Sequence, residues 1–96
     1  MRIKITKPAY IDLNEIDRFI RTNNPSAANR MGLRVSEAID FLVTYPAMGR
    51  TGRLSKTREL IVSGTPFIVI YQVRQSTLIV LRIMHTSRKW PNNKKH

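Results

Sequence analysis

Polar and apolar residues alternate at the start of the chain. In Arg2-Ile3-Lys4-Ile5-Thr6 the two isoleucines share one face, which predicts a short half-buried strand over 2–6. Lys7-Pro8 then turns the chain, and proline suits the first position of a helix. From Ala9 to Thr22 the apolar residues Tyr10, Leu13, Ile16, Phe19 and Ile20 recur at helical spacing, with Asp12, Glu15 and Asp17 mostly opposite. Asn23-Asn24-Pro25 interrupts that pattern; Asn24 can cap a second helix with Pro25 as its first residue. The second helix carries Ala28, Met31, Val35, Ala38 and Leu42 and runs to about Thr44, where Tyr45-Pro46 stops it. Two amphipathic helices joined by so short a link predict an antiparallel hairpin, and its apolar stripe reads as core.

Residues 46–56 form a loop rich in Gly and Pro that carries three cations, Arg50, Arg53 and Lys56. A short mixed strand follows over Thr57–Val62, then a turn at Ser63–Pro66. Phe67–Val73 is almost wholly apolar and reads as a central strand buried on both faces. Arg74–Thr77 is a polar turn, and Leu78–Met84 is a further apolar run broken only by Arg82. The segment 91–96 is a polar tail. The order β-α-α-β-β-β predicts a single α+β domain over 1–96: an N-terminal strand and an antiparallel helical hairpin packed on one face of a small, largely antiparallel sheet. The other face is then left to carry function.

Charge changes this picture most. Seventeen Lys and Arg against six Asp and Glu give a net +11. Residues 1–49 hold seven basic and five acidic side chains, whereas residues 50–96 hold ten basic and one acidic. Such a density on one half of a small chain points to a polyanionic partner: nucleic acid, a ribosome or an acidic protein. A generic solubility charge would not gather in one half. The absence of cysteine removes disulfides, thiolate metal sites and a cysteine nucleophile, and fits a reducing compartment. No segment reads as a signal peptide or approaches the roughly 20 apolar residues of a membrane span, so a cytoplasmic protein with no membrane partner is expected.

Most standard catalytic sets are missing. There is no Gly-x-Ser-x-Gly and no His-Glu-x-x-His, and Gly49 and Gly52 lack the Gly-Lys-Ser/Thr ending of a phosphate loop. His85 and His96 are the only histidines, so no metal and no cofactor are expected. What remains is a basic and aromatic group: Arg58 and Glu59 on one strand, Tyr71 on the next, and Arg82, His85, Arg88 and Trp90 on or after the last. A histidine beside arginines can act as general acid or base on RNA while arginine stabilises the developing phosphorane charge. Structural roles stand beside these: Arg82 pairing with Glu59 across strands, Tyr71 in the core, Trp90 capping a sheet edge. Strand alternation puts Arg82 and Met84 on one face and His85 on the other.

Three segments carry a family resemblance. Thr57-Arg58-Glu59-Leu60-Ile61-Val62, Gly64-Thr65-Pro66-Phe67-Ile68-Val69-Ile70-Tyr71-Gln72-Val73 and Leu81-Arg82-Ile83-Met84-His85-Thr86-Ser87-Arg88-Lys89-Trp90-Pro91 resemble the C-terminal half of RelE/ParE toxins. The opening strand, the helical hairpin and the Tyr45-Pro46-Ala47-Met48-Gly49 turn extend the resemblance to nearly the whole chain. It implies the toxin of a type II toxin–antitoxin pair, arresting growth until a cognate antitoxin wraps it. The antitoxin-binding residues it implies are Leu13, Ile16, Ile20, Met31 and Val35 on the hairpin. The target-binding residues are Arg50, Arg53, Lys56, Arg58, Arg88, Lys89 and Trp90.

The resemblance leaves the target open. RelE-like members cleave mRNA in the ribosomal A site, with an arginine three residues before a conserved Tyr of the penultimate strand. Here that position is Ile68, and the terminal catalytic Tyr has no match. His85-x-x-Arg88-x-Trp90-Pro91 looks more like the ParE branch, whose members poison DNA gyrase. Against that, +11 suits docking on ribosomal RNA. A gyrase inhibitor is therefore the preferred reading. A metal-independent, ribosome-dependent endoribonuclease using His85, Arg82 and Arg88 is the alternative, and an inactive or nucleic-acid-binding module is the third.

Overall fold

Asn24 is the point at which the chain reverses. The computed structural model describes residues 1–87. In it Asn24 is at once the C-cap of helix α1 (Lys7–Asn23) and the N-cap of helix α2 (Pro25–Thr44). Its side chain accepts the Ala27 N–H at 3.0 Å, and its own N–H returns to the Ile20 carbonyl. Thr6 caps α1 in the same way through Ala9 N–H, and Pro8 falls in the first turn, where its missing N–H costs nothing.

Strand β1 (Arg2–Ile5) precedes the hairpin, and β2 (Arg50–Thr51), β3 (Arg58–Ile61), β4 (Phe67–Arg74) and β5 (Thr77–His85) follow it. They form one five-stranded sheet in the order β1-β5-β4-β3-β2. Every neighbouring pair is antiparallel except β1–β5, which is parallel with Arg2 opposite Thr77. β4 is thus the central strand, as its apolar run predicts. β2 was expected as loop: a two-residue strand leaves no periodicity to read.

The two sheet faces differ. Phe67, Val69 and Tyr71 of β4 and Leu78, Val80 and Ile83 of β5 pack with Ala9, Val35, Ile39 and Leu42 of the hairpin into the main core. Of the predicted helical stripe, Leu13, Ile16, Ile20 and Met31 lie partly buried against that core, while Tyr10 and Phe19 face solvent. Phe19 is 77% exposed. The stripe is narrower than the sequence pattern suggests, because Ala9 and Asp12 take the buried positions instead. The helix-free face carries a second cluster of Ile68, Ile70 and Met84 with Leu81 against it, so its centre is apolar rather than open.

β5 contains an irregularity. Ile70 opposes Arg82 but Tyr71 opposes Val80, which makes Leu81 an extra residue and swaps the alternation beyond it. No helix among the described residues is long and apolar enough to cross a membrane.

Candidate functional site

The end of β5 projects past β1 and is finished by side chains. Beyond the Ile5–Val80 pair, β5 has no strand neighbour on that side among the described residues. Thr6 Oγ1 donates to the Leu81 carbonyl at 2.9 Å, and the Asp12 carboxylate accepts the Ile83 N–H at 2.9 Å. Arg82 closes the arrangement with Nε and Nη2 on the two Asp12 oxygens at 2.7 and 2.9 Å, a fork-to-fork pair. The hydrogen bond to Asp12 holds the Arg82 guanidinium above its already high value, so it stays charged. The expected Arg82–Glu59 pair does not form: Arg82 shares its row with Ile70, yet its long side chain passes the open strand edge to reach α1.

Along this edge runs a groove of about 710 Å³ between α1, α2 and the ends of β4 and β5. Its apolar lining includes Ile16, Phe19, Ile20, Met31 and Phe67, and its polar lining includes Asp12, Glu15, Arg82 and His85. Arg82 and His85 lie on opposite faces of β5, opposite Ile70 and Phe67, and they share the groove because the Arg82 side chain passes the open strand edge to Asp12. His85 stacks edge-on against Phe67 with ring centroids 5.6 Å apart. Its Nδ1 accepts the Ser87 N–H at 3.0 Å and lies 2.7 Å from the Ser87 hydroxyl. Among the described residues its lining holds two acids and one arginine around a mainly apolar wall, which suits an apolar segment.

A second constellation sits on β2, β3 and the loop between them. Glu59 is 2% exposed and accepts from three donors: Arg53 N–H at 3.1 Å, Arg53 Nη2 at 3.1 Å and Arg50 Nη2 at 3.2 Å. Burial pushes its carboxyl up, but the Arg53 N–H and the two guanidiniums outweigh that and hold it below the ordinary value of 4.5. Arg58 donates to the Ala47 and Gly49 carbonyls, so part of its fork is spent on the turn after α2. Lys56 is exposed, in a left-handed conformation. Of the expected target-binding residues, Arg50 and Arg53 are brought together by Glu59, and Arg58 is turned toward the Pro46–Gly49 corner. Arg88, Lys89 and Trp90 lie outside the described residues.

Tyr71 anchors the same corner from inside. It is fully buried, donates its hydroxyl to the Pro46 carbonyl at 2.7 Å and accepts the Gly49 N–H at 2.9 Å. Burial raises its pKa above 10.0, against the opposing pull of the Gly49 N–H and Arg58, so it stays neutral. A Cβ on Gly49 would lie 2.7 Å from the Tyr71 ring. The glycine is there for close approach, not for a phosphate. Among the expected antitoxin contacts, Ile16, Ile20 and Met31 line the groove, Leu13 packs beside the core and Val35 lies within it. The sequence offered no signal for the Asp12–Arg82 pair, since 70 residues separate them. No group of three or more metal-ligating side chains occurs among the described residues.

The sequence and the fold are similar to those of known proteins. Residues 3–90 match the family model of the ParE toxin of type II toxin–antitoxin systems, parDE. Y4kP of Sinorhizobium fredii is 40% identical over 90 residues, covering 94% of this chain and 93% of its own. Toxin RelE2 of Caulobacter vibrioides is 38% identical over 80 residues, covering 83% of this chain and 89% of its own. In the solved structure of the chromosomal ParDE system of P. aeruginosa, a chain aligns with TM-score 0.80 and 25% identity, covering 88% of this chain and 95% of that one. The protein is therefore a toxin of the RelE/ParE superfamily, and the chain belongs to the ParE toxin family of type II toxin–antitoxin systems. An antitoxin partner follows from that membership.

Proposed function

We propose that this toxin arrests growth in the cytoplasm by binding DNA gyrase, not by cleaving mRNA, and that its antitoxin seats an apolar segment in the α1–β5 groove. The observation that carries the reading is the engagement of Arg82 by Asp12. A nuclease of this design needs an arginine poised for phosphate, and here Nε and Nη2 of Arg82 are committed to the Asp12 carboxylate. Two further features support it. Tyr71 is buried, neutral and used at both its donor and its acceptor site. The position that holds arginine in RelE-like nucleases is Ile68, buried in the second cluster. A surface that binds a target without chemistry needs none of these groups to be free.

The groove reading rests on its apolar lining and on exposed Phe19 at its rim. A large exposed aromatic beside a preformed concavity is what a partner helix or strand buries as an anchor. Purified gyrase tests the proposal directly. Supercoiling falls as toxin is added, and returns when antitoxin is added; supercoiling untouched at large toxin excess overturns the gyrase reading.

A ribosome-dependent endoribonuclease is the second reading, because His85 is exposed and shares the groove with Arg82. It requires that His85→Ala or Arg88→Ala abolish toxicity while the fold and antitoxin binding survive. Pulse labelling after induction separates the two. Loss of methionine incorporation first indicates the ribosome, and loss of thymidine incorporation first indicates gyrase. Salt-sensitive nucleic-acid binding with no growth arrest would point to an inactive module.

A further inference from the structure

The net charge of this toxin is segregated by layer. The hairpin, residues 7–44, holds Lys7, Arg18, Arg21, Arg30 and Arg34 against Asp12, Glu15, Asp17, Glu37 and Asp40, and so has no net charge. All of the +11 lies outside it, where Glu59 is the one acid.

On the sheet the register says which face these cations occupy. Ile68 and Ile70 point away from the helices, so Gln72 and Arg74 of the same strand do too. Arg74 opposes Thr77, and Thr77 opposes Arg2, which sets two exposed arginines on one row, one on each side of β5. Two strand spacings separate them, roughly 10 Å. Lys4 follows on the next row, opposite Ile79. At the far edge Arg50, Glu59 and Ile70 are in register on this same face, with Arg53 joined to them through Glu59. Five exposed cations therefore frame a small apolar centre, and the one acid among them is buried beneath two of the five.

Glu59 does more than neutralise. Its Oε1 lies 3.2 Å from one Arg50 Nη2 and 3.1 Å from one Arg53 Nη2, so both guanidiniums are tied to a single oxygen. Their remaining N–H groups sit on side chains that are 57% and 43% exposed. Two forks fixed side by side on a buried carboxylate lose little freedom when a phosphate arrives.

We propose that the helix-free face of the sheet binds the phosphate backbone of duplex DNA, and that buried Glu59 is the positioning residue that presents Arg50 and Arg53 to it. The exposed large aromatics of the described chain, Tyr10, Phe19, Phe41 and Tyr45, belong to the hairpin and the residue that caps it. Among the described residues the cationic face thus carries no exposed aromatic of the kind on which single strands stack. What these exposed residues offer is charge around a buried apolar centre, and charge is what a paired backbone requires. This inference does not rest on gyrase, and it is tested without it.

The experiment is fluorescence anisotropy of a labelled duplex titrated with purified toxin from 50 to 200 mM salt (about a fourfold span), in parallel with single-stranded RNA and polyglutamate. Five phosphate contacts give a log–log salt slope of about −4.5. Arg50→Ala with Arg53→Ala reduces that slope by about two, while Arg18→Ala with Arg30→Ala on the hairpin leaves it unchanged. Glu59→Gln is the discriminating variant. It raises the net charge, so unspecific attraction predicts tighter binding, whereas loss of positioning predicts affinity several-fold weaker. Circular dichroism checks that each variant is folded; if Glu59→Gln is not, the Arg50/Arg53 and hairpin pairs decide. Absence of duplex binding at 50 mM salt overturns the proposal. So does tighter binding by folded Glu59→Gln, an equal loss from the hairpin pair, or a preference for single-stranded RNA or polyglutamate.

Discussion

Arg82 and Asp12 meet as a bidentate pair, Nε to Oδ2 at 2.7 Å and Nη2 to Oδ1 at 2.9 Å, across the unpaired edge of β5. Asp12 also takes the Ile83 N–H, so one carboxylate joins α1 to the strand backbone and to the neighbouring arginine. Removing it strands a backbone donor and a part-buried cation together. Asp12→Ala should therefore lose about 3 kcal/mol, and Arg82→Ala less, because Asp12 keeps its backbone donor. Urea denaturation of both single variants and the double variant should show a coupling of about 1–3 kcal/mol. Strict additivity would mean that the pair contributes nothing of its own.

Acid should weaken the protein partly through Glu59. Its folded pKa lies below the unfolded value of 4.5, so its stabilisation is fully present above 4.5 and is lost as pH falls through the folded value. Urea midpoints measured from pH 7 downward should therefore fall more steeply below that point in the wild type than in Glu59→Gln. Parallel curves for the two would refute the assignment.

The corner after α2 should depend on Tyr71 and Gly49 as a unit. Tyr71→Phe leaves the Pro46 carbonyl and the buried end of the Gly49 N–H without their partner, a loss of about 1–3 kcal/mol. Gly49→Ala pushes a methyl into the Tyr71 ring and should cost a similar amount. Thermal melts that place either variant within error of wild type would show that the corner yields freely.

The β4–β5 hairpin turns through Gln75 and Ser76, with φ of 50° and 59°. Both residues sit in the left-handed region that Asn and Gly tolerate better in a two-residue turn. Gln75→Asn with Ser76→Gly should raise stability by about 1 kcal/mol without changing toxicity. An unchanged or lowered melting temperature would count against that strain.

Phe19 offers the cleanest test of the groove, since it is exposed and outside the core. Phe19→Asp should leave fold and toxicity intact while weakening antitoxin binding at least tenfold in calorimetry, and co-expressed antitoxin should then fail to rescue growth. Unchanged affinity would move the antitoxin elsewhere.

The elements with a repeating signal were legible in the sequence. The caps at Asn24, the run Phe67–Val73 and the order of helices and strands follow from periodicity and turn chemistry, and they define the fold that the ParE family shares. What was not legible depends on contacts between distant residues. The sequence offers Glu59 as a cross-strand partner for Arg82, but β4 lies between their two strands, and the early end of β1 opens the edge past which Arg82 reaches Asp12 instead. Glu59 was then left to Arg50 and Arg53, which lie close in sequence within a segment without periodicity. The target-binding cations could be named from composition, but only strand register sorts Arg2, Lys4 and Arg74 onto the same face.

The parallel seat of β1 beside β5 also governs the order of assembly. Residues 2–5 find their partners at 77–80, and β5 then stands between the first strand and the rest of the sheet. A nascent chain that has not yet emitted β5 has no site for its own beginning, and the sheet is missing an interior member rather than an edge. Closure must wait for the most sequence-distant contacts, which are slow to form. Synthesis thus runs nearly to the end of the polypeptide before the sheet can close.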